Sequence, residues 1–469
     1  MSSCKITVVF ASVIACLTAI SLVFPRDGVT VVGQTFYLPT IHDLTEANTS
    51  IASEVKDVKD IEIPKEIKKL GDSINYLQKE FDEQEYRFWL PSKDYLDAFW
   101  FNAEKAKSAD RVIRIMHYGD SQIEMDRISY QLRAYMQEHF GGGGPGMIPF
   151  RTIIASNSIS QSASGSLTHL ASFGDSTVVR SRGNYGPMMQ CFRMAGSASV
   201  SVRASSNKST DSRLKSFSRI RLVYNDRSGN LKATLSERKS HYSNSQTSKN
   251  SGVGSMLWTL NPEASAFTIS TSGSADLYCI TVDNGPGVAV DNIPMRGCSG
   301  TQFTSVTKDL LTRAYSQLDV GLIILQFGGN SVPYLKSSKS ISNYCKNIGK
   351  QIDYIHQCCP QAKILFIGPS DMSTSEKGKL QTYSMLPTVI DSLRVTAINH
   401  DAAFWSIYYA MGGWNSMLSW KKQGLAGSDY IHFTPKGAVM MGERLTTAFN
   451  TSYRLFTMKR RWNASKTGK

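Results

Sequence analysis

The chain has 469 residues, 41% of them hydrophobic, with a formal net charge of +14, which is enough for two or three domains around sizeable cores. Its basic residues are spread out. No Lys/Arg block resembles a nucleic-acid-binding arm and no Cys/His spacing matches a zinc finger, so no nucleic-acid partner is expected. The positive excess suits an acidic surface or polymer, such as a cell envelope, and equally a plain basic soluble surface.

Residues 6–24 are apolar and uncharged, preceded by Lys5 and ended by Pro25, Arg26 and Asp27. That length crosses a bilayer as a helix, and no small-x-small cleavage site follows. Residues 1–26 therefore read as a signal anchor rather than a cleaved signal peptide. Export to the cell envelope or periplasm, with anchoring to the inner membrane, is expected. Residues 27–109 read as a polar tether and helical stalk. Ile67, Leu70, Ile74, Leu77 and Phe81 form one stripe over 64–87, and a second helix over 94–108 buries Leu96, Phe99 and Trp100. Six cysteines lie beyond the anchor; export would permit disulfides among them, but spacing does not pair them.

The run Val112, Ile113, Arg114, Ile115, Met116 is mostly apolar and ends at Gly119-Asp120-Ser121-Gln122, as a buried parallel strand entering a turn does. A helix is expected over 123–139, with Ile128, Leu132, Tyr135 and Met136 on one face. The glycines at 141–144 lack a following Gly-Lys-Ser/Thr, so they read as a flexible exit rather than a phosphate loop.

Residues 150–285 change character. They are rich in Ser, Thr, Asn and Gly with short alternating runs, which predicts an inserted β-sandwich. About 15 Lys/Arg stand there against 7 Asp/Glu. Tyr185, Phe192, Tyr242 and Trp258 suit either sugar stacking or a core, with the core reading favoured. From 286 to 455, strands at 287–293, 320–327, 362–369 and 403–406 alternate with helices, which predicts a parallel sheet covered on both faces. The last helix is expected over 435–449, followed by a flexible basic tail at 456–469.

Three strand ends then present Ser121, Gly297 and Asn330 on one sheet edge, and the loop before the last helix presents Asp429 and His432. These are the parts for acyl transfer. Ser121 is the candidate nucleophile, His432 its base, and Asp429 the carboxylate that holds the imidazole tautomer. The amides of Ser121 and Gly297 and the side chain of Asn330 are candidate oxyanion donors. Singly, each has an ordinary alternative as a turn, cap or surface residue; their joint placement points to chemistry. Asp120 is expected to brace its turn and His117 to pack at the strand end. No residue cluster has metal-ligand spacing, so neither a metal nor a cofactor is expected.

The blocks Gly119-Asp120-Ser121-Gln122, the Gly297 region, Gly328-Gly329-Asn330 and Asp429-Tyr430-Ile431-His432 resemble those of the SGNH (GDSL-type) hydrolases. The resemblance covers roughly 110–145 and 286–450 and departs from the commonest pattern at Gln122, where Leu is frequent, and at Ser331, where Asp often stands. It implies an α/β fold of flavodoxin-like three-layer α/β/α type. The hydrolase domain would be split into 110–149 and 286–455, and ester hydrolysis would run through an acyl-serine. A long β-rich insertion after the first block is similar to the arrangement in bacterial peptidoglycan O-acetylesterases, where the insertion looks like a carbohydrate-binding domain. The expectation is a serine esterase removing O-acetyl groups from an acetylated envelope polysaccharide, peptidoglycan first. The alternatives are an O-acetyltransferase using the same site and a glycan-binding protein with a disused hydrolase fold.

Overall fold

The computed structural model describes residues 29–31, 34–36, 65–83, 87–174, 178–180, 183–208, 210–376 and 378–466. The anchor expected at 6–24 and most of the tether lie outside these residues. No helix among the described residues is long and apolar enough to cross a membrane. The chain divides into two units, residues 1–71 and 72–469. In the first, β1 (Val29–Val31) pairs antiparallel with β2 (Gln34–Phe36). Helix α1 (Lys65–Glu83) has residues in both units and covers the predicted apolar stripe.

The second unit opens with α2 (Asp97–Ala106), β3 (Val112–Gly119), α3 (Ser129–Phe140) and β4 (Gly146–Ile148). The inserted strands follow: β5 (Ile159–Ala171), β6 (Gln190–Ala204), β7 (Phe217–Asp226), β8 (Lys232–Glu237), β9 (Tyr242–Thr247), β10 (Gly252–Ala264) and β11 (Ala266–Asp283). The α/β alternation then resumes with β12 (Gly287–Pro294), α4 (Lys308–Ser316), β13 (Val320–Gln326), α5 (Ser338–Cys358) and β14 (Lys363–Gly368). It ends with the hairpin β15 (Ser373–Glu376) and β16 (Lys379–Thr382), then α6 (Leu386–Asn399), β17 (Ala403–Ser406), α7 (Ile407–Met411), α8 (Ser416–Lys422) and α9 (Pro435–Lys466).

The central sheet is parallel throughout, in the order β12-β3-β13-β14-β17. Numbered by first appearance, that is the 2-1-3-4-5 order of flavodoxin-like folds. Period-two alternation feeds both faces at once. Ile113, Ile115, Leu322 and Ile324 pack with α2, α3 and α9, whereas Met116, Tyr118, Ile323 and Leu325 pack with α4, α5 and α6. The insertion is an antiparallel assembly in which β11 changes partner along its length. It pairs β8 over Thr268–Ser272 and β7 over Ala275–Asp283. Residues from β6 and β11 (Val200, Val202, Ile269) share one core with residues from β7 and β10 (Ile220, Leu222, Trp258), as sandwich layers do.

Several sequence expectations change. The helix expected from 123 begins only at Ser129. Ser121–Asp126 forms a 3-10 turn broken by extended Glu124 and left-handed Met125. Three side-chain ties favour this path: Glu124 grips Arg296, and Asp126 pairs with buried Arg133 and accepts from Ser158 Oγ at 3.1 Å. The glycines after α3 form no loose exit. Gly144 has φ +81°, and a Cβ there would stand 2.3 Å from the Val282 carbonyl oxygen, so the chain crosses tightly under β11. Helix α9 does not stop at 449. Leu455 and Phe456 remain buried and Arg460 pairs with Glu104, so the expected tail is helical to Lys466. Tyr185, Phe192 and Trp258 are core residues, each at most 3% exposed, and only Tyr242 is partly accessible. The six described cysteines are free and buried.

A buried charge cluster joins the insertion to the sheet. Arg114 of β3 bonds Asp283 of β11 at 2.8 Å and Asp291 of β12 at 2.5 Å, and Asp291 also accepts from the Met147 amide. All three side chains are at most 5% exposed. Removing the cation would strand two carboxylates in a low-dielectric interior. Arg114→Met should therefore lower unfolding free energy by about 3–5 kcal/mol in urea titrations at neutral pH.

Asp120 ends β3 and caps the 3-10 turn by accepting from the Gln122 amide at 3.0 Å. Burial raises its carboxyl to about 6, against the pull of that amide bond. The folded chain therefore holds this proton more tightly than the unfolded chain, and the associated stability is lost as pH rises through 4 to 6. Asp120→Asn cannot lose a proton. Its stability relative to the parent should rise by about 2 kcal/mol between pH 4 and pH 8, read by denaturant unfolding at each pH.

Candidate active site

The sheet register sets the site. Gly119 lies opposite Pro294 on one side and Gln326 on the other, so β12, β3 and β13 end level. The segments carrying Gly297, Ser121 and Asn330 leave from that common edge, at the switch point where ligands bind in open α/β sheets. The fourth segment reaches the edge from the loop before α9, where Gly427 N donates to the His432 carbonyl at 2.7 Å and closes a tight turn. Tyr430, inside it, takes a left-handed φ of 55°. That conformation is costly for a bulky residue and is held by the surrounding bonds.

Ser121, His432 and Asp429 stand in one hydrogen-bonded chain. Ser121 Oγ lies 2.7 Å from His432 Nε2, and His432 Nδ1 lies 2.7 Å from Asp429 Oδ2. The other oxygen of Asp429 accepts from the Ile431 and His432 amides, both at 3.1 Å. Partial burial works to raise the Asp429 carboxyl. The His432 bond and the two amides outweigh it and hold the group below the usual carboxylate range. Ionised Asp429 fixes the proton on Nδ1, which leaves Nε2 to accept from the serine hydroxyl. The His432 side chain is 39% exposed and that of Asp429 48%, so the imidazole faces solvent.

Asn330 links the three strand ends. Its Nδ2 donates to the Cys298 carbonyl at 3.0 Å and more loosely to Asp120 Oδ2 at 3.4 Å. Gly297 has φ +75° and no atom within 4 Å of where a Cβ would sit, whereas a Cβ at Gly300 would meet the Phe327 ring at 2.7 Å. Gly300 is thus a packing glycine, and Gly297 is the one facing open space. His117 lies apart, fully buried between Gln326 and Ser129 at 3.0 Å each, its basicity lowered to about 4 by burial. It is a packing residue, as its place in the sequence suggested. Among the described residues no group of three His, Cys, Asp or Glu could hold a metal ion.

Three supporting groups escape the sequence reading. Gln122, noted only as a departure from the usual Leu, is buried and reaches the His432 loop. Arg127 donates to the carbonyls of Ser121 and, at 3.3 Å, of Phe433. Arg296 forms a two-bond pair with Glu124 beside Gly297, at 2.5 and 2.6 Å. Apart from the Arg127–Ser121 bond, these ties span elements distant in sequence, so no local pattern signals them. A cleft of about 870 Å³ opens beside Gly297, walled by Met125 and Arg296 on one side and by Ile153, Phe173 and Arg180 of the insertion on the other.

No protein-family profile and no curated protein matches the chain. Among solved structures, a peptidoglycan O-acetylesterase matches with a TM-score of 0.64 at 21% identity, covering 78% of this chain and 99% of that one. A family two carbohydrate esterase from Clostridium thermocellum, solved with cellohexaose, matches with a TM-score of 0.26 at 9% identity, covering 56% of this chain and 95% of that one. The acetyl xylan esterase AlAXEase matches at 0.27 and 13%, covering 34% and 81%. The last two scores are too low to argue from. The first is a likeness of fold along nearly the whole of the other chain. The chain thus shares with that esterase a three-layer α/β/α fold, with a β-domain inserted after its first strand and helix.

Proposed function

We propose that the chain is a serine esterase that removes O-acetyl groups from an acetylated envelope polysaccharide, with peptidoglycan as its substrate. The observation that carries this reading is the Ser121–His432–Asp429 chain, with both bonds at 2.7 Å, on the sheet edge that also holds Gly297 and Asn330. Ser121 Oγ attacks the acetyl carbonyl carbon while His432 Nε2 takes its proton. The oxyanion accepts from the amides of Ser121 and Gly297 and from the loosely held hydrogen of Asn330. Collapse breaks the bond to the sugar oxygen, which takes the proton from His432. Water, activated by the same imidazole, then attacks acetyl-Ser121 and frees acetate.

The substrate reading draws on the basic character of the chain, the cleft between catalytic and inserted parts, and the fold shared with a peptidoglycan O-acetylesterase. Residues 6–24 would hold the enzyme at the membrane of the envelope it serves. Solvent access to His432 lets water reach acetyl-Ser121, as hydrolysis requires.

The test is acetate release from 4-nitrophenyl acetate and from O-acetylated peptidoglycan. Ser121→Ala should abolish release from both, and Asp429→Asn should lower kcat by about 10³–10⁴-fold through the wrong imidazole tautomer. Asn330→Ala should lower kcat by about 10²–10³-fold. Release that persists in Ser121→Ala would sink the proposal. Release from the small ester alone would keep the chemistry and remove peptidoglycan as the substrate.

A further inference from the structure

We infer that Gln122 is a positioning residue that sets His432 against Ser121 by acting as a surrogate strand partner for the His432 backbone. The inference rests on the esterase reading above.

An isolated antiparallel bridge between Ala426 and Phe433 engages the His432 carbonyl through Gly427 N, but the Ile431 carbonyl and the Phe433 amide face away from it and need partners from elsewhere. The primary amide of Gln122 supplies two of them. Nε2 donates to the Ile431 carbonyl at 2.7 Å, and Oε1 accepts from the Phe433 amide at 3.4 Å. A residue in a parallel ladder bonds its neighbour strand in this pattern, engaging the carbonyl before and the amide after the residue it faces. Here the bracketed residue is His432. The second hydrogen of Nε2 is directed to Ser370 Oγ at 3.4 Å, so the amide is engaged at every hydrogen.

The clamp is short on both sides. Gln122 follows Ser121 directly, its own amide is held by Asp120, and its side chain is 7% exposed. One peptide unit thus separates the clamp from the nucleophile, and one residue on either side separates it from the base. Arg127 adds a second tie between the Ser121 and Phe433 carbonyls, and Asp429 holds the opposite, amide side of Ile431 and His432. Of these three, Gln122 alone bonds both flanks of His432 and sits next to the nucleophile. An apolar residue of the same length would fill the space and supply neither bond. A misplacement of about 1 Å between nucleophile and base costs on the order of 10²-fold.

The experiment compares Gln122→Met with the parent in the full chain. Its readouts are 4-nitrophenyl acetate kinetics, the rate of Ser121 labelling by a fluorophosphonate, thermal melting, and the downfield proton resonance of the His432 Nδ1–H. A folded variant with kcat and labelling rate down about 10–100-fold, KM within twofold, and a broadened or lost Nδ1–H resonance is the expected result. A folded variant with kcat and labelling within twofold of the parent overturns the role of Gln122 and leaves the esterase reading standing. A loss of activity that only follows the unfolded fraction also overturns it. If Gln122→Met does not fold, Gln122→Asn, whose amide is one methylene too short to bridge Ile431 and Phe433, is read against the same thresholds. A parent chain that neither turns over the ester nor labels at Ser121 overturns both readings together.

Discussion

The level ending of three neighbouring strands is the constraint on which the site depends. With β3 between β12 and β13, Gly119 faces both Pro294 and Gln326. Residues a few positions later in three distant stretches are thereby delivered to one edge. A slip of one register step would invert the two faces of β3 and drive Ile113 and Ile115 into the core on the opposite face. The two flanking cores make that slip prohibitive, because both faces of the strand are buried. The core thus sets the geometry of the site before any of its side chains contributes.

The insertion is tied to this frame by charge as well as by covalent connection. Arg114 sits near the start of β3 and takes one carboxylate from the last inserted strand and one from the adjacent sheet strand. Such a buried cluster is a poor source of stability compared with apolar packing, but it penalises any arrangement that separates its members. The tight crossing at Gly144 acts in the same sense, since only a glycine lets the backbone pass so close to Val282. The cleft beside Gly297 is therefore bounded by two parts held in one arrangement.

At the edge itself, the proposed nucleophile and base come from opposite ends of the α/β fold, and several polar ties compensate for the missing sheet pairing between their loops. Asp429 holds the imidazole and two backbone amides, Arg127 collects two carbonyls, and Gln122 brackets His432. The strained Tyr430 backbone is retained because these bonds over-determine the loop. Departure from the usual Leu at position 122 then has a structural meaning, namely a polar link in place of an apolar contact.

Local chemistry was legible from the chain alone. The apolar runs ending in Gly-Asp-Ser and Gly-Gly-Asn specified buried strands and their turns. The change to Ser-rich alternation specified an antiparallel insertion, and the Asp-x-x-His spacing specified a pair able to meet across one turn, as Asp429 and His432 do. These features are carried by periodicity and by residues within a few positions of each other. Tertiary structure alone decided the delayed start of α3, because Glu124 and Asp126 are drawn away by Arg296 and Arg133. It decided the continuation of α9 past 449, because Leu455 and Phe456 find a core and Arg460 an acidic partner. It also decided that Trp258, Tyr185 and Phe192 fill interiors, and that Gln122 reaches across to His432. Except for the Asp126–Arg133 pair, seven residues apart, the deciding partners lie far away in the sequence, and an interaction between distant segments leaves no local pattern to read.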